Sequence, residues 1–330
     1  MTCTVLQIDP RAPEAAIIAR AADVLRAGGL VAFPTETVYG LGANALDPAA
    51  VTRIFAAKGR PATNPIIVHV STIDEAKQLT SAWPTSAQEL ARHFWPGPLT
   101  LVLPKAPCVP DIVTAGGATL AVRIPAHPVA LALLRACGVP LAAPSANRST
   151  ELSPTRAEHV LRGMADRIDL LLDAGPTTGG LESTVLDVTT TPPRLLRPGL
   201  VTIAELEAVV GSIERKSDGS ESTTPLRSPG QLPRHYAPDT KLEVLSDSRQ
   251  RVEQFKHQGL RVGWLTHVDG GEIESVCRIL LPDDPVSYSA ALYDALHRLD
   301  VAGLDRIVVE QPPPGDAWMA IHDRLRRAAN

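Results

Sequence analysis

The stretch Phe33–Gly42, FPTETVYGLG, decides how this chain is read. It closes the apolar run Leu30-Val31-Ala32-Phe33, which predicts a buried strand. Pro34 stops that strand and delivers hydroxyls, one carboxylate and two glycines. Small polar groups at the carboxyl end of a strand are where α/β sheets receive ligands. A second stretch, KGRPATNP (Lys58–Pro65), adds the rim cations Lys58 and Arg60 in a loop set by glycine and proline.

Around these stretches, helical and extended patterns alternate. Residues 14–27 place Ile17, Ile18, Ala21, Val24 and Leu25 on one helical face, ended by Gly28-Gly29. The pattern predicts further helices over 48–57, 86–94, 128–136 and 202–210, and strands over 66–70, 99–103, 119–125, 140–143 and 169–175. Ser153-Pro154 reads as the start of a helix over 154–163. STVLDVT and RLLRPG read as a hairpin-like pair. The fold class is α/β: a twisted, partly parallel mixed sheet with helices. From Gly211 to about Thr240, Ser, Thr, Pro and charge dominate, as in a linker. Regular strand–helix alternation after it predicts a smaller parallel-sheet α/β unit without a GxGxxG or Walker loop.

Composition narrows the function classes. The 330 residues carry a net charge of −4, and aromatics make up 4%. Both count against bulk nucleic-acid binding, whether by phosphate neutralisation or base stacking. Four cysteines, Cys3, Cys108, Cys137 and Cys277, stand far apart without a CxxC, consistent with a reducing compartment. The N-terminus lacks a signal-peptide pattern, and no run approaches the roughly 18 apolar residues of a membrane helix. A cytoplasmic protein without membrane contact is expected.

The cations Lys58, Arg60, Arg123 and Arg197 each sit at an element end beside Gly or Pro. Arg123 lies in an otherwise apolar strand, where it is costly unless it meets an anion. Together the four suit a polyanion such as a triphosphate plus a carboxylate. Thr35, Thr37, Ser145, Asn147, Ser183 and Thr184 provide small hydroxyl and amide groups on the same rim, and His69 ends a buried strand. Glu36, Asp173 and Glu182 are scattered in sequence, so magnesium would arrive on substrate phosphates. There is no GxSxG, HExxH or Cys–His pair. The inventory suits chemistry by positioning and charge neutralisation.

In order, FPTETVYGLG, KGRPATNP, FWPGPLTLVL, VRIP, PSAN, ESTV and LRPG resemble the threonylcarbamoyl-AMP synthase family with its YrdC-like domain. RHYAP and the second α/β unit resemble the long, two-domain form of that family. The resemblance implies a YrdC-like catalytic domain with a concave basic cavity over 1–211, a linker and lid over 212–240, and a Rossmann-like domain over 241–330. It implies an ATP-dependent enzyme that joins L-threonine and bicarbonate to ATP as threonylcarbamoyl-adenylate and releases pyrophosphate. A downstream threonylcarbamoyl transferase complex would then modify tRNAs reading codons that begin with A. By the same resemblance, Lys58 and Arg60 are catalytic, and ATP is held by them with Asn64, Thr119, Ser145, Ser153, Arg197, His235 and Tyr236. Threonine is held by Thr35 or Thr37, His69, Arg123, the Ala143 backbone and Ser183. No protein metal ligand is implied, and Mg2+ comes with ATP. The competing readings are an RNA-binding module and carbamoyl transfer of the hydrogenase-maturation type.

Overall fold

The structure is a computed structural model, and the residues it describes are 3–61, 63–215 and 236–329. Among them, the strands form one eleven-stranded and one four-stranded sheet. The large sheet contains β1 (Thr4–Gln7), β2 (Val31–Phe33), β3 (Gly40–Asn44), β4 (Ile67–His69), β5 (Leu99–Pro104) and β6 (Thr119–Arg123). It continues with β7 (Leu141–Ala142), β8 (Leu170–Asp173), β9 (Thr184–Asp187), β10 (Arg194–Arg197) and β11 (Glu214–Arg215). Their spatial order is β1-β8-β2-β3-β7-β4-β6-β5-β9-β10-β11, with parallel and antiparallel neighbours mixed.

The run Leu30–Phe33 is continuously apolar because β2 is buried on both faces. Leu30 and Ala32 join one core with Leu41, Ala43 and Ile54. Val31 and Phe33 join the other with Leu25, Leu133, Leu170 and Leu172. The sequence pattern reads YGLG as part of a loop, but it opens β3, which runs antiparallel to β2 with Phe33 opposite Gly40. Gly42 is needed there, since an added Cβ would stand 2.8 Å from the Phe33 ring.

Lys58 is the last residue of the helix Pro48–Lys58. Asp47 caps the start of this helix by accepting from the Ala49 N–H at 2.9 Å, a contact whose loss costs about 1 kcal/mol. Gly59 ends it at φ 61°, and the chain then turns into the GRP loop. The helix expected over 154–163 instead spans Ala157–Met164, with Arg156 as its N-cap. Pro154 is therefore outside the helix, and its carbonyl accepts from the Tyr39 N–H at 2.8 Å. The Ser153 hydroxyl donates to the Glu182 carboxylate, and such a charge-assisted bond outweighs a neutral cap. The short helix Ile73–Gln78 starts at Thr72, whose hydroxyl accepts from the Glu75 N–H at 3.2 Å, a T-x-x-E start that the periodicity reading passes over. The single turn Asp111–Thr114 is too short for a periodic signal.

The second sheet has β12 (Leu242–Leu245), β13 (Val262–Thr266), β14 (Cys277–Leu280) and β15 (Arg306–Glu310), ordered β12-β15-β13-β14 and all parallel. The helices Ser248–His257 and Pro285–Asp300 provide crossovers that parallel pairing demands. Its core is not closed on itself. Tyr293, Leu296, Ile321 and Leu325 pack in one cluster with Val38, Leu152 and Leu181 from the large-sheet part. Among the described residues, no helix is long and apolar enough to cross a membrane.

Candidate active site

The parallel pairing of β4 and β6 sets His69 directly beside Arg123 at the carboxyl ends of both strands. Ala143–Ser145 follow β7, Ser183 precedes β9, and Arg197 ends β10, so these loops converge. With Thr35, Thr37, Gly40, Arg60, Glu182 and Tyr236 they line a cavity of about 50 Å³. A larger cavity of about 290 Å³ lies behind the PSAN turn. Of the sequence candidates only Asn147 borders it, so the chemistry belongs to the smaller one.

Arg123 hydrogen-bonds through two edges of its guanidinium and makes an ion pair with the third, whose Nη2 is not hydrogen-bonded. Nε donates to the Gly97 carbonyl at 3.0 Å, Nη1 to Thr37 Oγ1 at 3.1 Å, and Nη2 lies 2.5 Å from Glu36 Oε1. Thr35 Oγ1 donates to the Val38 carbonyl at 2.7 Å, so in the 2.7 Å contact between the two hydroxyls Thr37 is the donor. The chain therefore runs from Arg123 through Thr37 to Thr35, and it is Thr37 that touches the guanidinium. The anion that Arg123 requires is supplied within the protein by Glu36.

Arg60 and Arg197 are arranged differently. Arg60 donates to the carbonyls of Asn64 at 3.3 Å and Pro65 at 2.6 Å. Arg197 donates to the Ser183 carbonyl at 2.9 and 3.1 Å, to Ser183 Oγ at 3.1 Å and to Tyr236 Oη at 3.5 Å. Among the described residues, neither has a carboxylate within ion-pair distance. Burial, opposed by Tyr236 and reinforced by the Arg197 charge, brings the Arg60 pKa down to about 10. Asn64 is buried beside Arg60, with neither amide atom hydrogen-bonded. A buried amide without a partner beside two cations that lack a carboxylate calls for an explanation.

The sequence reading expects Lys58 and Arg60 as exposed rim cations, but they are 3% and 7% exposed. Lys58 Nζ donates to the Ser145 carbonyl at 2.5 Å and to the Asn147 carbonyl, with Asn147 Oδ1 at 3.5 Å. Burial, and then Arg60, push its pKa down, while the three oxygens suit the three N–H bonds of an ammonium. Lys58 thus clamps the PSAN turn and does not itself line the small cavity. His69 is 4% exposed with Nδ1 unpartnered, and burial followed by the Arg123 charge pushes its pKa to about 3. It is neutral at ordinary pH.

Ser153 does not line the cavity but holds Glu182, which does. Thr119 begins β6, opposite Pro104. Four residues of strand separate it from Arg123, about 13 Å, and it does not border the cavity. Tyr236 is 1% exposed and stands in the left-handed region at φ 61°. His235 lies outside the described residues. Glu36 and Glu182, scattered in sequence, both come to the Arg-rich site, whereas Asp173 instead accepts from Gln7 at 2.6 Å. Sequence reasoning missed Arg324 and Tyr293, which reach Glu182 from the second sheet's helices. Among the described residues, no group of three or more His, Cys, Asp or Glu is gathered as a metal site needs.

A mixed α/β sheet whose strand ends converge on buried arginines defines an anion-handling enzyme site. Residues 23–199 match the Sua5/YciO/YrdC family described as telomere recombination. Residues 201–330 match the threonylcarbamoyl-AMP synthase C-terminal domain. The threonylcarbamoyl-AMP synthases of Bacillus subtilis and Pyrococcus abyssi are 44% and 43% identical, each over 94% of this chain and over 92% and 93% of their own. The crystal structure of P. abyssi Sua5 complexed with L-threonine is similar with a TM-score of 0.92 and 42% identity, covering 98% of this chain and 97% of that one. The chain belongs to the threonylcarbamoyl-AMP synthase family of enzymes.

Proposed function

We propose that this protein joins L-threonine, bicarbonate and ATP into threonylcarbamoyl-adenylate with release of pyrophosphate. The observation that carries the reading is the pair Arg60 and Arg197, buried on one cavity and bonded to neutral oxygens while Arg123 beside them is already paired. Two such cations suit the phosphates of a nucleotide, and Arg123 with Thr37 suits an amino-acid carboxylate. The name of the P. abyssi threonine complex supports an amino acid as one substrate.

The chemistry needs no side-chain nucleophile. The threonine ammonium and bicarbonate give the carbamate, one water and one proton. A carbamate oxygen then forms a bond to the α-phosphorus of ATP, and the bond to the pyrophosphate oxygen breaks. The arginines bring two anionic reactants together against their mutual repulsion. Lys58 acts by holding Ser145, and neutral His69 serves as a wall and hydrogen-bonding group with no charge of its own. Ser145 and Tyr236, with Asn64 beside Arg60, complete the nucleotide side, Ser153 acts on it through Glu182, and Thr35, Thr37, Ala143 and Ser183 complete the threonine side. Mg2+ would arrive on the triphosphate, since the carboxylates near the site are engaged by Arg123 and Arg324. The product would pass in the cytoplasm to a transferase complex that modifies tRNA, so tRNA contact is indirect.

Pyrophosphate release measured with each substrate omitted in turn tests the proposal. Release is expected with threonine, bicarbonate and ATP together. Release that ignores threonine or bicarbonate overturns it, and so does salt-sensitive RNA binding without turnover.

A further inference from the structure

A buried ion pair on the cavity wall joins the two sheets' units. Glu182, on the cavity wall, is 6% exposed, and Arg324, on the helix Met319–Ala328, is 1% exposed. Arg324 Nε donates to Glu182 Oε2 at 2.6 Å. Its Nη1 donates to Asp323 at 2.7 Å, its Nη2 to the Pro198 carbonyl at 3.0 Å, and its planar face lies 4.9 Å from the Tyr236 ring centre. The other Glu182 oxygen, Oε1, accepts from the Ser153 hydroxyl at 2.5 Å, and Tyr293 Oη donates to the same carboxylate at 3.3 Å. His297 Nε2 donates to the Ser153 carbonyl at 3.1 Å, so the second unit holds Ser153 directly through His297 and indirectly through Arg324 and Glu182.

A buried ion pair is weak evidence for stability, because desolvation offsets the attraction. This one has a plainer consequence for the cavity. A bare carboxylate beside Arg197 would either capture that guanidinium or repel an incoming phosphate. With Arg324 in place Glu182 does neither, and the Arg197 donors face Ser183 and Tyr236. We propose that Arg324 is a positioning residue that neutralises Glu182, so that this carboxylate fixes Ser153 and leaves Arg197 to receive a nucleotide phosphate. The proposal rests on the functional reading above. It gives the second sheet's unit an indirect part in nucleotide binding: its last helix completes the charge balance of a site built on the first unit.

Burial alone would raise the Glu182 pKa, but Arg324, then Arg197 and the Ser153 hydroxyl, hold it below the ordinary carboxylate value. The groups facing it are Arg324 and Tyr293 from the second unit's helices, Arg197 from β10, Ser153 and Tyr236, with Asp323 behind Arg324. Without Arg324 the carboxylate loses its first counter-charge.

The test is a double-substitution cycle on the full chain, with Arg324→Met alone and together with Glu182→Gln. Circular dichroism establishes folding, and ATP and L-threonine affinities are measured separately by calorimetry. Arg324→Met is expected to weaken ATP about 10-fold or more, the scale of coupling within one buried network, with threonine affinity changed less than about 3-fold. Adding Glu182→Gln is expected to recover most of the ATP affinity. Equal loss for both ligands, or no recovery by Glu182→Gln, would overturn the proposal. If Arg324→Met does not fold, Arg324→Lys takes its place: it keeps the charge and should keep ATP affinity within about 3-fold, and a full loss there overturns the proposal. Absence of threonine- and bicarbonate-dependent turnover in the unsubstituted protein would instead overturn the functional reading itself.

Discussion

The Arg123 guanidinium meets the Glu36 carboxylate at 2.5 Å in the wall of the cavity, with side-chain exposures of 4% and 14%. The pair holds a cation inside an apolar sheet on the cavity wall, where the proposed reaction would place an amino-acid carboxylate. Arg123→Met leaves Glu36 without its partner and is expected to lower stability by about 3–5 kcal/mol and abolish threonine-dependent turnover. The double substitution Arg123→Met with Glu36→Gln should recover most of the stability and none of the turnover. Urea unfolding and pyrophosphate release read the two effects separately.

Lys58 is a buried clamp on the carbonyls of Ser145 and Asn147, so its removal acts on the fold as well as on activity. Lys58→Met should cost about 1–3 kcal/mol through unsatisfied buried carbonyls. It should also speed amide exchange at residues 145–149. An unchanged unfolding midpoint would show that the clamp contributes nothing.

Buried histidines make the fold acid-sensitive well above the carboxylate range. His69 has a folded pKa of about 3 against an ordinary 6.5, set by burial and then the Arg123 charge. The unfolded chain therefore binds the proton first, and stability falls as pH drops from 6.5 toward 3. Between pH 6.5 and 5 the loss from His69 is about 2 kcal/mol. His159 and His297, whose rings stack at 3.8 Å, shift in the same direction and add to it. Urea midpoints at pH 7 and pH 5 measure the sum, and His69→Gln should flatten its share.

Ending the chain after residue 211 would uncover Val38, Leu152 and Leu181, which pack with Tyr293, Leu296 and Leu325. It would also leave Glu182 without Arg324. The shortened chain is expected to unfold at lower temperature and to lose ATP affinity. Calorimetric unfolding with and without ATP checks both outcomes.

Much of this architecture can be read from the residues, for physical reasons that also explain the failures. β2, β4 and β6 announce themselves because strands buried on both faces become continuous apolar runs, and their polar termini name the site edge. β3 is hidden because Gly40 and Gly42, packed against the Phe33 ring, look like a loop. Ser153-Pro154 carries a helix-start signal, yet a carboxylate distant in sequence takes the serine hydroxyl. The burial of Lys58 and Arg60 is not legible, because cations are assigned to water until their carbonyl partners are known. Arg324 is least visible. It sits in IHDRLRRA among other arginines, where a buried charge and a solvated one have the same letter.

The proposed reaction joins three reactants in one cavity lined by Arg60, Arg123 and Arg197. The most direct measurement is mass detection of the product formed from isotope-labelled bicarbonate, L-threonine and ATP. A threonylcarbamoyl-adenylate carrying the label, formed together with pyrophosphate, is expected. A threonyl-adenylate without the label, or no adenylate at all in the presence of all three substrates, would contradict it.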